Sequence, residues 1–273
     1  LFSLSDNVGM AVRTVSLPTA TLSVTEAGEG APLVFLHAFP LSARMWARQL
    51  AALPPGWRGV APDLRGFGAS TGASARSVGE HADDVLALIA SLGTGPVVLA
   101  GLSMGGYIAF ECWRRRPAAI RGLVLADTRA EADTDEARAR RVAMQARART
   151  EGTGAVIDAM LPGLLGATTQ TSDPHVAHEV RAWALETPGE AVADALEALR
   201  TRPDSRPTLS TITVPTLVIV GVEDTLTPPT AARLIADGVV GASLVEVPGA
   251  GHLSNVEQPS AFDTALHRWL ATL

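Results

Sequence analysis

The chain has 273 residues, 47% of them hydrophobic and 18% charged, with a formal net charge of −6. That balance suits a compact domain with a large buried core and excludes a disordered tail; length alone leaves open one large α/β domain or two smaller ones. The negative charge, and basic residues scattered instead of gathered into a stripe with interleaved aromatics, argue against a nucleic-acid partner.

Residues Leu1 to Gly9 show no periodicity and read as an extension ahead of a natural start at Met10. Strands are expected at Val12–Leu17, Thr21–Glu26, Pro32–His37, Gly59–Pro62, Pro96–Leu102, Ile120–Ala126, Val214–Val220 and Ser243–Val247, from apolar runs bounded by turn residues. The segments Arg44–Leu53, Ser77–Leu92, Met104–Arg116, Pro229–Asp237 and Pro259–Leu270 carry apolar residues at three- and four-residue spacing, the signature of helices. The first two strands suggest an antiparallel hairpin leading into a parallel, helix-covered sheet. From about Arg129 to Arg206 the pattern is helical throughout. This stretch reads as an insertion, a helical cap (129–206) over a core made of 1–128 and 207–273, at the strand ends where open α/β sheets bind ligands. No apolar run reaches the eighteen or so residues of a membrane span, and no basic stretch followed by an apolar core marks a secretory signal.

All 22 basic residues are Arg, so lysine Schiff bases and lysine-dependent phosphate loops lack their key residue. Cys112 is the single cysteine, which rules out a disulfide framework or a thiolate cluster and fits a reducing, cytoplasmic setting.

The strongest chemical signal is Gly101-Leu102-Ser103-Met104-Gly105, directly after the apolar strand Pro96–Ala100 and directly before a helix. A serine on such a turn is held in strained geometry, and the glycines are required where side chains would collide with strand and helix. The hydroxyl then sits at a helix N-terminus, where N–H groups and the helix dipole favour developing negative charge. Arg114, Arg115 and Arg116 followed by Pro117 close that helix.

A serine hydroxyl needs a base. His252, in the glycine-rich loop Pro248–His252 after the last strand, is the candidate; His81 and His267 fall in helical patterns and His175 and His178 in the insertion, and these read as packed or solvated. The acid that orients the histidine is expected between serine and histidine in chain order, which selects Asp224, at the end of the strand Val218–Gly221. Glu223 beside it and Asp127 at the end of Leu123–Ala126 are the rivals. Two N–H donors must face the developing oxyanion. Met104 supplies one, and Phe39, in the loop His37-Ala38-Phe39-Pro40, the other, with His37 holding that loop.

These motifs, together with Asp63-Leu64-Arg65-Gly66-Phe67-Gly68, Gly221–Asp224 and Gly249–His252, resemble the ordered motifs of the α/β-hydrolase superfamily over nearly the whole chain. Within it the chain is most similar to small carboxylesterases, enol-lactonases and cofactor-free haloperoxidase-like serine hydrolases. The resemblance implies an α/β-hydrolase fold with about eight strands, Ser103, Asp224 and His252 as triad, and Phe39 and Met104 as oxyanion donors. Those relatives often have Gly where this chain has Ala38, and the added methyl narrows the backbone choices of the donor loop. Serine rather than aspartate at position 103 argues against dehalogenase and epoxide hydrolase chemistry.

The expected reaction is acyl transfer through an acyl-enzyme, with a small-molecule ester or lactone as substrate, no cofactor or metal required, and a monomer or small homo-oligomer as the working unit. Perhydrolase or haloperoxidase-like chemistry and carbon–carbon bond hydrolysis reuse the same three groups, and a ligand-binding protein that lost turnover is the reading outside the enzyme class. Met160, Leu161, Leu164 and Trp183 offer apolar surface for a substrate pocket, or simply pack the insertion. Arg138, Arg140, Arg141, Arg147 and Arg149 form either a carboxylate-binding face or a solvated one.

Overall fold

Strand β5 (Val97–Leu102) is apolar and buried at every position, so it must be covered on both faces. Because successive side chains point to opposite sides of a strand, Val97 and Leu99 join one core while Val98 and Ala100 join another. Strand β3 (Ala31–Leu36) divides the same way, with Val34 and Leu36 on the first side and Leu33 and Phe35 on the second. Helices α2 (Val78–Leu92), α3 (Met104–Arg115) and α10 (Pro229–Gly238) close the first core. The second is closed by α1 (Ala47–Ala51) and α12 (Pro259–Leu270), whose Phe262, Leu266 and Trp269 pack beside Trp46 and Leu50.

The computed structural model describes residues 9–273; the expected extension ahead of Met10 lies, up to residue 8, outside the described residues. Eight strands form one sheet in the order β1-β2-β4-β3-β5-β6-β7-β8. β1 (Met10–Ser16) and β2 (Thr21–Gly28) form the expected antiparallel hairpin, and β2 also runs antiparallel to β4 (Trp57–Pro62). From β4 onward the sheet is parallel, through β6 (Ile120–Ala126) and β7 (Thr216–Gly221) to β8 (Ser243–Val247). After β3 the chain pairs β4 on one side and later β5 on the other, so the sheet order reverses between β3 and β5. The crevice at that reversal, beyond the strands' C-terminal ends, is where open α/β sheets bind ligands.

Between β6 and β7 the chain forms α4 (Asp135–Glu151), α5 (Thr153–Leu164), α6 (Ala167–Ser172), α7 (Pro174–Ala184), α8 (Gly189–Arg200) and the short α9 (Arg206–Leu209). A last short helix, α11 (Ser254–Glu257), precedes α12. No helix among the described residues is long and apolar enough to cross a membrane.

Local chemistry explains where elements start and stop. Ser77 Oγ accepts the Glu80 N–H at 3.1 Å while Glu80 returns to the Arg76 N–H at 2.7 Å, a cap for α2 worth about 1 kcal/mol. The expected strands beginning at Pro96 and Val214 begin instead at Val97 and Thr216, past Pro96 and Pro215, whose nitrogens cannot donate to a ladder. The helix expected over Arg44–Leu53 is shorter and divided: Ala43–Trp46 is a 3₁₀ turn, and α1 stops at Ala51. Pro54 and Pro55 disfavour helical backbone just ahead of them, and the Ala43 N–H is held by Asp63 Oδ1 at 2.9 Å.

The glycines around position 103 are dictated by contact. A Cβ on Gly101 would lie 2.2 Å from the Gly105 carbonyl oxygen, and one on Gly105 would lie 2.2 Å from the Leu36 carbonyl oxygen. Both obstacles are backbone and cannot rotate away. Gly105→Ala is therefore expected to lose about 3 kcal/mol or more, the upper end of overpacking costs. In a chain of this size that appears as a thermal midpoint lower by at least about 6 °C. A midpoint within a degree of the parent would show that α3 can move off β3 freely.

Candidate active site

Ser103 sits between β5 and α3 with φ 54° and ψ −110°, in a region that side chains other than glycine avoid. Such a residue costs about 1–3 kcal/mol and persists only when its surroundings over-determine it. They do. The Ser103 N–H donates to the Ala126 carbonyl at 2.9 Å, and its own carbonyl accepts from the Gly106 N–H at 2.9 Å and the Thr128 hydroxyl at 2.9 Å. The hydroxyl is thereby raised above the sheet at the head of α3.

His252 lies in the loop between β8 and α11, with 3% of its surface exposed. Its Nε2 is 2.8 Å from Ser103 Oγ and its Nδ1 is 2.8 Å from Asp224 Oδ2. The Asp224 carboxylate is further fixed in the turn after β7. Its Oδ1 accepts the N–H groups of Leu226 and Thr227 at 2.8 and 2.9 Å, and its Oδ2 accepts the Thr227 hydroxyl at 2.6 Å. Burial disfavours the charged carboxylate, but His252 and the Thr227 bonds outweigh it, and the Asp224 pKa falls below its ordinary value. Burial equally disfavours an imidazolium. Asp224, with smaller help from Asp127 and Glu257, wins there too, and the His252 pKa rises above 6.5.

In this arrangement Nδ1 carries a proton toward the carboxylate, leaving Nε2 free to accept the serine proton.

The rival acids are engaged elsewhere. Asp127, fully buried with φ 41°, accepts the Gly221 N–H at 2.8 Å and the Ser254 N–H at 3.2 Å, and also bonds the Ser254 hydroxyl. Burial and the nearby Asp224 push its pKa up to about 8. It ties the end of β6 to the end of β7 and to α11. Glu223 turns outward to the Thr168 N–H at 2.8 Å and to the Thr168 hydroxyl.

The loop after β3 carries Phe39. His37 Nδ1–H donates to the Ala38 carbonyl at 2.9 Å and Nε2 accepts the Leu64 N–H at 3.0 Å, which joins this loop to the one after β4. Burial pushes the His37 pKa down, so the neutral ring keeps both bonds. Ala38 lies outside the left-handed region, so its methyl adds no backbone strain. The N–H groups of Phe39 and Met104 donate to no other group among the described residues. They lie at the ends of β3 and β5, on either side of the point where the sheet order reverses.

Leu164 is fully buried, while Leu161 and Trp183 are partly buried against the second core and Met160 touches both cores. The α4 arginines are largely paired: Arg138 with Asp135, Arg141 with Asp133, Arg147 with Glu151 and Arg149 with Glu190. His81 is buried, and burial with the neighbouring His37 and Arg65 lowers its pKa to about 3. His175 and His178 are exposed, on α7.

Thr227, Ser254 and Glu257 are supporting residues that the motif reading missed. Thr227 stands three residues after Asp224, the spacing of a side-chain-capped turn, and that local signal could have revealed it.

The alpha/beta hydrolase fold family model matches residues 31–259, most of the chain. The chain belongs to that family. This α/β-hydrolase is similar to a thermophilic esterase from Thermogutta terrifontis, with 36% identity, a TM-score of 0.92, and 96% of this chain and 98% of that one covered. It is also similar to the enol-lactonase from Burkholderia xenovorans LB400, at 30% identity and TM-score 0.88 over 95% of this chain and 100% of the other. Among curated proteins, 3-oxoadipate enol-lactonase 2 of Acinetobacter baylyi is 30% identical over 238 residues, covering 86% of each chain.

Proposed function

We propose that the chain hydrolyses small to medium, largely uncharged carboxylic esters or lactones through an acyl-enzyme on Ser103. The observation that carries this reading is the unbroken run from Asp224 through His252 to Ser103, with both links at 2.8 Å. Ser103 Oγ attacks the carbonyl carbon as its proton passes to His252 Nε2, and Asp224 stabilises the imidazolium that forms. The Phe39 and Met104 N–H groups receive the oxyanion, because neither has another acceptor to give up. Collapse expels the alcohol, which takes the proton from His252. A water then loses its proton to the same nitrogen and attacks the acyl group, and as the acyl–Oγ bond breaks that proton passes from His252 to Ser103 Oγ, releasing the acid and restoring the serine. A lactone follows the same steps, its leaving alcohol staying tethered to the acyl group.

Residues 129–206 act in this reading as a cap over the strand ends, set on the core formed by 1–128 and 207–273. Met160, Leu161, Leu164 and Trp183 supply the apolar wall of the substrate pocket. An uncharged substrate is favoured because most of the α4 arginines already hold carboxylates of the chain itself. The esterase and enol-lactonase relatives support the same bond class.

Hydrolysis of p-nitrophenyl acetate and butyrate and of a panel of simple lactones tests the reading, with a fluorophosphonate probe counting active serines. Turnover of at least one substrate class and one label per chain are expected. Protein that leaves every substrate intact and takes no label would sink the proposal.

A further inference from the structure

The His252 loop has little conformation of its own. It is rich in glycine, and a run of this kind leaves its backbone N–H groups to be satisfied by other parts of the molecule. From Gly251 to Ser254 every backbone N–H has such a partner. Gly251 and Leu253, on either side of the histidine, both donate their N–H groups to Glu257 Oε1, at 2.9 and 3.0 Å. His252 donates its own N–H to the Leu164 carbonyl at 3.2 Å, and Ser254 donates to Asp127 at 3.2 Å. The second oxygen of Glu257 accepts the Gly166 N–H at 2.7 Å, from the turn between α5 and α6. Glu257 is only 9% exposed, and Gly251 and Gly166 touch so closely that a Cβ on Gly251 would lie 2.2 Å from the Gly166 nitrogen.

We propose that Glu257 is a positioning residue for His252: its carboxylate grips the backbone on both sides of the histidine and ties that loop to the α5–α6 turn. This inference rests on the hydrolase reading above. With both neighbours of His252 held by one oxygen, the loop cannot roll, and the imidazole stays between Asp224 and Ser103. The second oxygen carries the same constraint to the α5–α6 turn, so the helical segment and the histidine move as one piece at this point.

A carboxylate suits the task because three N–H donors converge on it and both of its oxygens accept. A glutamine has one acceptor oxygen. If that oxygen keeps Gly251 and Leu253, its NH₂ meets the Gly166 N–H, donor against donor.

Glu257→Gln and Glu257→Asp test the assignment, with rates expressed per fluorophosphonate-titrated serine. For Glu257→Gln we expect kcat to fall on the order of 10²-fold, the scale set by an ångström of misplacement, with KM within about twofold. The acid limb of kcat/KM should also move to lower pH. Of the groups facing the imidazole, Asp224, Asp127 and Glu257 all favour its charged form, and the variant removes one. Glu257→Asp keeps the charge with a shorter reach, so its acid limb should stay in place while kcat falls less. Should the glutamine variant not fold, the aspartate variant decides by its kcat per titrated serine. Rates per titrated serine and acid limbs equal to those of the parent would overturn the proposal, even if thermal stability drops. A parent protein without turnover or label would instead remove the hydrolase reading itself.

Discussion

Replacing Ser103 with alanine is expected to lower kcat/KM toward a p-nitrophenyl ester by on the order of 10⁵-fold and to abolish fluorophosphonate labelling. The Oγ is the atom to which His252 Nε2 is aimed, at 2.8 Å, and without it the imidazole has only water to activate. Residual turnover would come from the Phe39 and Met104 donors and from substrate binding, which the substitution leaves in place. The thermal midpoint should change little. What holds the strained turn is the set of bonds from the Ser103 backbone to Ala126, Gly106 and Thr128, and alanine keeps all of them. Activity above a tenth of the parent value would locate the nucleophile elsewhere.

Asp224→Asn is expected to cost about 10⁴-fold in kcat, through the tautomer of the histidine and not through collapse of the site. The Oδ1 that binds the Leu226 and Thr227 N–H groups must remain an oxygen, so the amide NH₂ takes the place of Oδ2. That NH₂ donates to Nδ1, the imidazole proton shifts to Nε2, and the nitrogen facing Ser103 can no longer accept. The pH profile adds a second signature. Activity requires neutral His252, so kcat/KM falls as pH drops through its pKa, which in the parent lies above 6.5. Asp224 is the largest influence raising that pKa, and its removal should move the acid limb to lower pH while the plateau drops. An unchanged limb, or a loss of less than about tenfold, would be incompatible with Asp224 as the partner of His252.

The parts of this protein that could be read directly were local ones. A run such as Val97–Leu102, apolar at every position, has to be buried on both faces, and the switch from that run to a helical pattern at Met104 is visible within a few residues. The glycines at 101 and 105 belong to the same kind of information, because the backbone atoms they approach are set by the turn itself and by the neighbouring strand. Boundaries were less legible. α1 is shorter than its apolar spacing suggests, since the prolines at 54 and 55 compete with the periodic signal.

The sequence by itself determined the α/β pattern, the antiparallel entry to the sheet, the serine-bearing turn and a short set of acids and histidines. Which carboxylate meets the imidazole was decided only by the tertiary structure. Glu223 and Asp224 are adjacent carboxylates, yet one bonds Thr168 and the other His252, while Asp127 is spent on Gly221 and Ser254. The physical reason is range: propensity and periodicity act over a few residues, whereas the Ser103–His252 contact spans 149 positions. It exists because the parallel sheet brings the ends of β5, β7 and β8 to one edge.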